Sequence, residues 1–286
     1  MSEDDMADRQ QPVYWNYLSQ TGQFYSCDYF CTPYRDPDTY NPKLYKDILQ
    51  VYNHRRKTMK LDLPKLSLSE TNKPYLKDDN KKRYSTDGIG PSRHYAEQAS
   101  LTYCDVAKFL TWSRTIGGHM LWPRHPGSIN TRRGNIALRD RIDLALYEIK
   151  EFMNLYLHNN LKKDDKGRTI VFSTHLRCII QNEDEDWLKR FQNPKSSQSW
   201  FQNFIDFWKL EDFVTKNYEV MSLEKCDIEE IRKRTCCQEH LVNPDSYGKG
   251  NRIGNRTNFL HYSENLKIII TKRTQKLNAI LNDKYE

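Results

Sequence analysis

The sequence predicts an α+β fold, predominantly helical, in a single domain with a small and partly irregular β-sheet. Three observations predict it. Apolar residues recur at helical spacing around 42–53, 138–158 and 260–281. Two short β-rich runs, 116–122 and 169–173, stand between them. Aromatic residues, 18 Tyr, 11 Phe and 6 Trp, are spread along all 286 residues and give every region a reason to collapse. A chain of this length buries roughly 75% of its unfolded surface, so it needs no disulfide or metal staple to hold a core.

Residues 1–11 are polar and read as a loose tail ahead of a domain spanning 12–286. The cluster DPDTYNP at 36–42 reads as a turn leading into a helix. Thr39 or Asn41 is the candidate N-cap and Pro42 the first helical residue. Leu44, Tyr45, Ile48, Leu49 and Tyr52 then mark the buried face. Leu61, Leu63, Leu66 and Leu68 alternate around Pro64, which predicts a short edge strand. The charged run KDDNKKRYS reads as a surface loop. Residues 104–112 read as a helix, and 116–122 as a strand entered through Gly117 and Gly118.

The strongest element is the helix of about 138–158, with Ile142, Ala145, Leu146, Ile149, Phe152, Met153 and Tyr156 on one stripe. A turn at 164–167 precedes the β-rich TIVFS, and Val171, Ile179 and Ile180 extend an irregular sheet. Helices are predicted from Trp187 to Phe191 and from Trp200 to Val214. Residues 241–258 are rich in turn formers. A final helix over about 260–281 carries Tyr262, Leu266, Ile269, Ile270, Arg273, Leu277 and Ile280 at helical spacing.

Composition narrows the function classes. There are 45 basic and 38 acidic residues, a net charge of +7 and an isoelectric point near 8.9. That excess favours anionic partners. No run approaches the ~20 apolar residues of a membrane span. The 7 cysteines are odd in number, irregularly spaced and preceded by no apolar signal segment, so reduced thiols in the cytoplasm are expected. A P-loop, a Rossmann glycine signature, a nucleophile elbow and an HExxH motif are all missing. No metal set has finger-like spacing, and no cofactor is indicated.

One segment concentrates chemistry: RTIGGHMLWPRHPGSINTRRGNIALRDRID, from Arg114 to Asp143. Gly117 and Gly118 permit close backbone approach or positive φ. His119 follows them. Its spacing from Arg114 matches the Arg–His pair of some helical ribonucleases, although the two glycines argue against a helix there. Arg234 and His240 are a second, looser pair. The loop then supplies Arg124, Asn130, Arg132 and Arg133, and the next helix opens with Asp140 and Arg141. Exposed N–H groups of a first helical turn together with arginines suit a phosphate. Arg141 by itself is disfavoured at the positive end of a helix unless an anion or Asp140 offsets it. The expected site therefore joins His119, Asn130, Arg133, Asp140 and Arg141 as reacting groups with Gly117, Gly118, Arg124 and Arg132 as ligand-binding groups. The structural alternative has Arg133 and Arg141 pair with Asp140 and Asp143 and lock the loop to the helix.

Three blocks resemble a bacterial family of unknown function. Phe24-Tyr25-Ser26 and Asp36 to Pro42 match its opening. Thr115 to Gly118, Trp122-Pro123, Ser128 to Gly134 and Asp140 to Glu148 match its TIGG, aromatic-Pro, TIN…ARG and DRFDLTLE elements. Phe204 to Val214 is similar to its aromatic helix. The basic 246–258 stretch and residues 160–185 depart from its pattern, and the resemblance implies no activity. The order glycine, short strand, proline, Asn-containing loop and helix also resembles the surroundings of HNH-type nuclease centres, without their metal-binding histidines.

Three functions compete on these residues: a protein acting on RNA or DNA, of the toxin or phage-defence type; an enzyme or sensor for a small phosphorylated ligand such as a nucleotide; and a non-catalytic interaction protein.

Overall fold

A computed structural model describes residues 41–69, 74–90, 112–124, 142–163, 165–167, 169–173, 176–180, 182–193, 197–223 and 256–283. The expected tail, all but the last residue of the helix expected over 104–112, residues 125–141 and the pair Arg234 and His240 lie outside them. The fold is α+β. Five α-helices are described, α1 (Pro42–Met59), α2 (Ile142–Leu157), α3 (Asn182–Lys189), α4 (Trp200–Trp208) and α5 (Arg256–Asn282). A four-stranded antiparallel sheet orders β1 (Ser67–Leu68), β2 (Leu76–Lys77), β3 (Arg83–Gly88) and β4 (His119–Pro123) in sequence. A second antiparallel sheet joins β5 (Lys162–Lys163), β6 (Thr169–Ser173) and β7 (Leu176–Ile180).

Helix α1 begins as expected. Asn41 caps it by accepting the N–H groups of Lys43 and Leu44, with Pro42 at the start. It runs on past residue 53 to Met59, with Arg56 and Lys57 in a last turn whose carbonyl end favours cations. Among residues 61–68 only Ser67 and Leu68 pair in the sheet. Leu61, Leu63 and Leu66 are buried without a ladder, as Pro64 in their midst cannot donate to one. The charged run taken for a loop is a hairpin: Lys77 pairs with Arg83, and Asp78 closes the turn by accepting the N–H of Lys82 at 2.8 Å. Residues 116–122 divide into a 3₁₀ turn, Ile116–Gly118, and strand β4.

Helix α2 buries Ile142, Ala145, Leu146, Ile149, Phe152 and Met153 of its predicted stripe, and Tyr156, the last member, is half-buried. Helix α4 starts from a capping box of Ser199 and Gln202. It stops at Trp208 instead of reaching Val214, because Lys209 turns left-handed (φ 55) and its N–H falls back on the Asp206 and Ile205 carbonyls. A 3₁₀ turn, Glu211–Phe213, follows. Residues 256–258, grouped with the preceding turns by sequence, open α5.

Aromatic side chains supply much of the core that a 37% hydrophobic composition leaves short. Phe191 meets Phe204 at 5.0 Å between ring centroids, Phe207 meets Trp208 at 4.8 Å, and Trp122 of β4 meets Trp187 of α3 at 5.8 Å. These separations suit edge and tilted ring packing. They tie α3 and α4 to the sheet.

Candidate nucleic-acid interface

The Gly-Gly turn is built around the C-terminal helix. Thr274 of α5 donates to the Ile270 carbonyl, accepts the N–H of Gly117 at 3.2 Å and lies 2.8 Å from the Thr115 hydroxyl. A Cβ on Gly117 would meet the Thr274 backbone nitrogen at 2.6 Å, and one on Gly118 would meet the Ser113 carbonyl carbon at 2.8 Å. Close backbone approach is therefore what both glycines provide, and the element that approaches is protein. Arg273 completes the joint. Its side chain is 1% exposed, and its guanidinium donates to the carbonyls of Trp208 at 2.9 Å, Gly117 at 2.5 Å and His119 at 2.8 Å. Burial pulls its pKa down to about 9.

His119 is buried beside this joint, with Nδ1 2.9 Å from the Thr115 carbonyl. A carbonyl can only accept, so Nδ1 carries the proton and Nε2 is the acceptor of the neutral ring. Desolvation lowers its pKa to about 4, against smaller upward effects of the Thr115 hydrogen bond and Asp87. The ring is neutral at physiological pH.

Strand β4 carries the chain away from that joint to Arg124, which is exposed and donates its backbone N–H to Arg83 at 2.8 Å. Five residues of strand put Arg124 roughly 16 Å from His119. The expected site is thus split: Gly117, Gly118 and His119 at the buried end of β4, Arg124 at its exposed end. Asn130, Arg132, Arg133, Asp140 and Arg141 lie outside the described residues. Asp143, on the first turn of α2, is buried and accepts the N–H of Leu223 at 3.4 Å.

What the exposed end holds is a row of cations. Lys77 pairs with Arg83 across β2 and β3, and the register Tyr84–Pro123 places Arg124, the residue after β4, beside Arg83. Directly opposed residues share a sheet face. All three are exposed, and among the described residues none of them makes an ion pair. On the same face Tyr75 lies under Arg83, whose guanidinium carbon is 4.8 Å from the ring centroid. Nearby Lys82 is paired, to Asp186 at 3.4 Å. The opposite face, Leu76, Tyr84 and Leu121, is buried, and so are Trp122 and Met120 further along the row's own face, Trp122 against Trp187, so the cations occupy only the end of that face. Reading Lys77 to Ser85 as a loop concealed this row. The alternation Tyr75-x-Lys77 and Arg83-x-Ser85 about a polar turn was the signal that could have shown it.

Residues 22–165 match the model of DUF6994, a family of unknown function. The chain belongs to DUF6994. That region of DUF6994 includes the whole four-stranded sheet, the Gly-Gly turn, helix α2 and the Arg124–Asp143 segment, so the basic row lies entirely within it. Helix α5, with Arg273 and Thr274, follows it. No curated protein and no solved structure matches the chain. Among the described residues no helix is long and apolar enough to cross a membrane, and no cluster of three or more His, Cys, Asp or Glu is placed to hold a metal ion.

Proposed function

We propose that the protein binds nucleic acid, RNA or DNA, through the basic end of its four-stranded sheet and the arginine-rich segment that leaves it at Arg124. One observation carries this reading: Lys77, Arg83 and Arg124 stand side by side across β2, β3 and the end of β4, exposed and, among the described residues, without ion pairs. Like charges directly opposed across strands destabilise a sheet. A polyanion turns that cost into affinity, because each neutralised phosphate releases counterions. The chain's net charge of +7 has the same sign.

In this reading chemistry on the nucleic acid falls to groups beyond Arg124, with Asn130, Arg132, Arg133, Asp140 and Arg141 the candidates. His119 belongs to the scaffold, since it is buried and held neutral. The odd cysteine count fits a cytoplasmic setting for such a protein.

The test is binding of a fluorescein-labelled oligonucleotide to the wild type and to a Lys77→Gln/Arg83→Gln/Arg124→Gln variant. At low salt the variant should bind about tenfold or more weakly, with a melting temperature at or above the wild type's. Equal affinity of the two proteins would refute the proposal.

A further inference from the structure

The basic row has an aromatic member, and we infer from it that the nucleic acid bound is single-stranded. Its phosphates rest on Lys77, Arg83 and Arg124, and one unpaired base stacks on the Arg83–Tyr75 pair. This narrows the nucleic-acid reading above and rests on it.

Neighbouring strands lie about 4.8 Å apart, so the Cα atoms of the row span only about 10 Å on a pleated face. Reaching the bases of a duplex requires an element that enters a groove, such as a helix or a projecting two-stranded ribbon, and without one a duplex offers the row its phosphates alone. Here β2 and β3 are flanked by β1 on one side and β4 on the other, so no ribbon stands clear of the sheet. A flexible single strand, by contrast, can settle its phosphates along a flat row.

Arg83 lies over the Tyr75 ring at 4.8 Å. It is exposed and, among the described residues, has no ion pair. A guanidinium plane backed by an aromatic ring is a platform for a base, and only an unpaired base can lie on it. Stacking of this kind tolerates any base, so the binding should show little sequence preference.

The experiment measures three probes against the full chain by fluorescence anisotropy, direct or by competition: a single-stranded 20-mer, the same sequence as a duplex, and inorganic polyphosphate. The single strand should bind at least about tenfold more tightly than the duplex. Tyr75→Leu should weaken the single strand roughly 5- to 100-fold, and Tyr75→Phe should restore it. Arg83→Lys keeps the charge and removes the plane, so it should weaken the single strand while changing polyphosphate by less than about threefold. Equal binding of single strand and duplex, or an Arg83→Lys variant that holds the single strand as well as the wild type, overturns the stack and leaves nucleic-acid binding standing. Failure of all three probes to bind removes the reading beneath it as well.

Discussion

Arg273→Met removes the guanidinium that fastens helix α5 to the Gly-Gly turn. The wild-type guanidinium satisfies three carbonyls, those of Trp208, Gly117 and His119, from a position 1% exposed. Methionine fills similar volume without a donor. Each carbonyl left dry costs about 1–3 kcal/mol, and relief of the buried charge offsets part of the sum. The net loss should be about 3–5 kcal/mol, a large share of the roughly 5–15 kcal/mol of a typical domain. Urea unfolding followed by tryptophan fluorescence reads it as a lower midpoint at an unchanged slope. Arg273→Lys keeps a charge but loses the planar fork, and should fall between the two. A midpoint for Arg273→Met within error of the wild type would show that the Arg273 hydrogen bonds are energetically idle and that α5 is held by its apolar face and its other polar contacts, Thr274 to Gly117 among them.

Gly118→Ala should cost several kcal/mol, since the added Cβ meets backbone at Ser113 that cannot swing aside; a normal melting temperature would contradict the geometry of the turn. Phe152→Ala and Ile149→Ala on α2, at 0% and 1% exposure, should each lose about 2–5 kcal/mol in the same unfolding assay. His119 has a folded pKa near 4 against 6.5 unfolded, so between those values the unfolded state binds more protons and stability rises with pH. Acidifying from pH 7 to 4 should remove roughly 3 kcal/mol through this group. His119→Asn, whose amide can still donate to the Thr115 carbonyl, should flatten that part of the pH profile, and an unaltered profile would assign the acid sensitivity elsewhere.

The helices were legible where one face carried the whole signal. Ile142 to Met153 on α2 needed only a 3.6-residue period, and Asn41 with Pro42 announced the start of α1. Helix ends were less legible. Lys209 adopts a left-handed conformation that sequence ordinarily announces with glycine, so the stop after Trp208 had no marker. Arg273 was visible as a basic residue inside an apolar stripe, but its three carbonyl partners are 65, 156 and 154 residues away in the chain. Long-range pairing also hid the basic row: Lys77 and Arg83 are neighbours through a hairpin, whereas Arg124 joins them only when β4 adds to the sheet. The same topology separates His119 from Arg124, which sequence proximity had grouped.

The salt dependence of single-strand binding tests the central claim most directly. With three phosphates held on Lys77, Arg83 and Arg124, a plot of log affinity against log salt should lose about 2 units of slope in the triple glutamine variant, at about 0.7 per phosphate. Parallel lines for wild type and variant would mean that the row touches no phosphate, and would contradict the account.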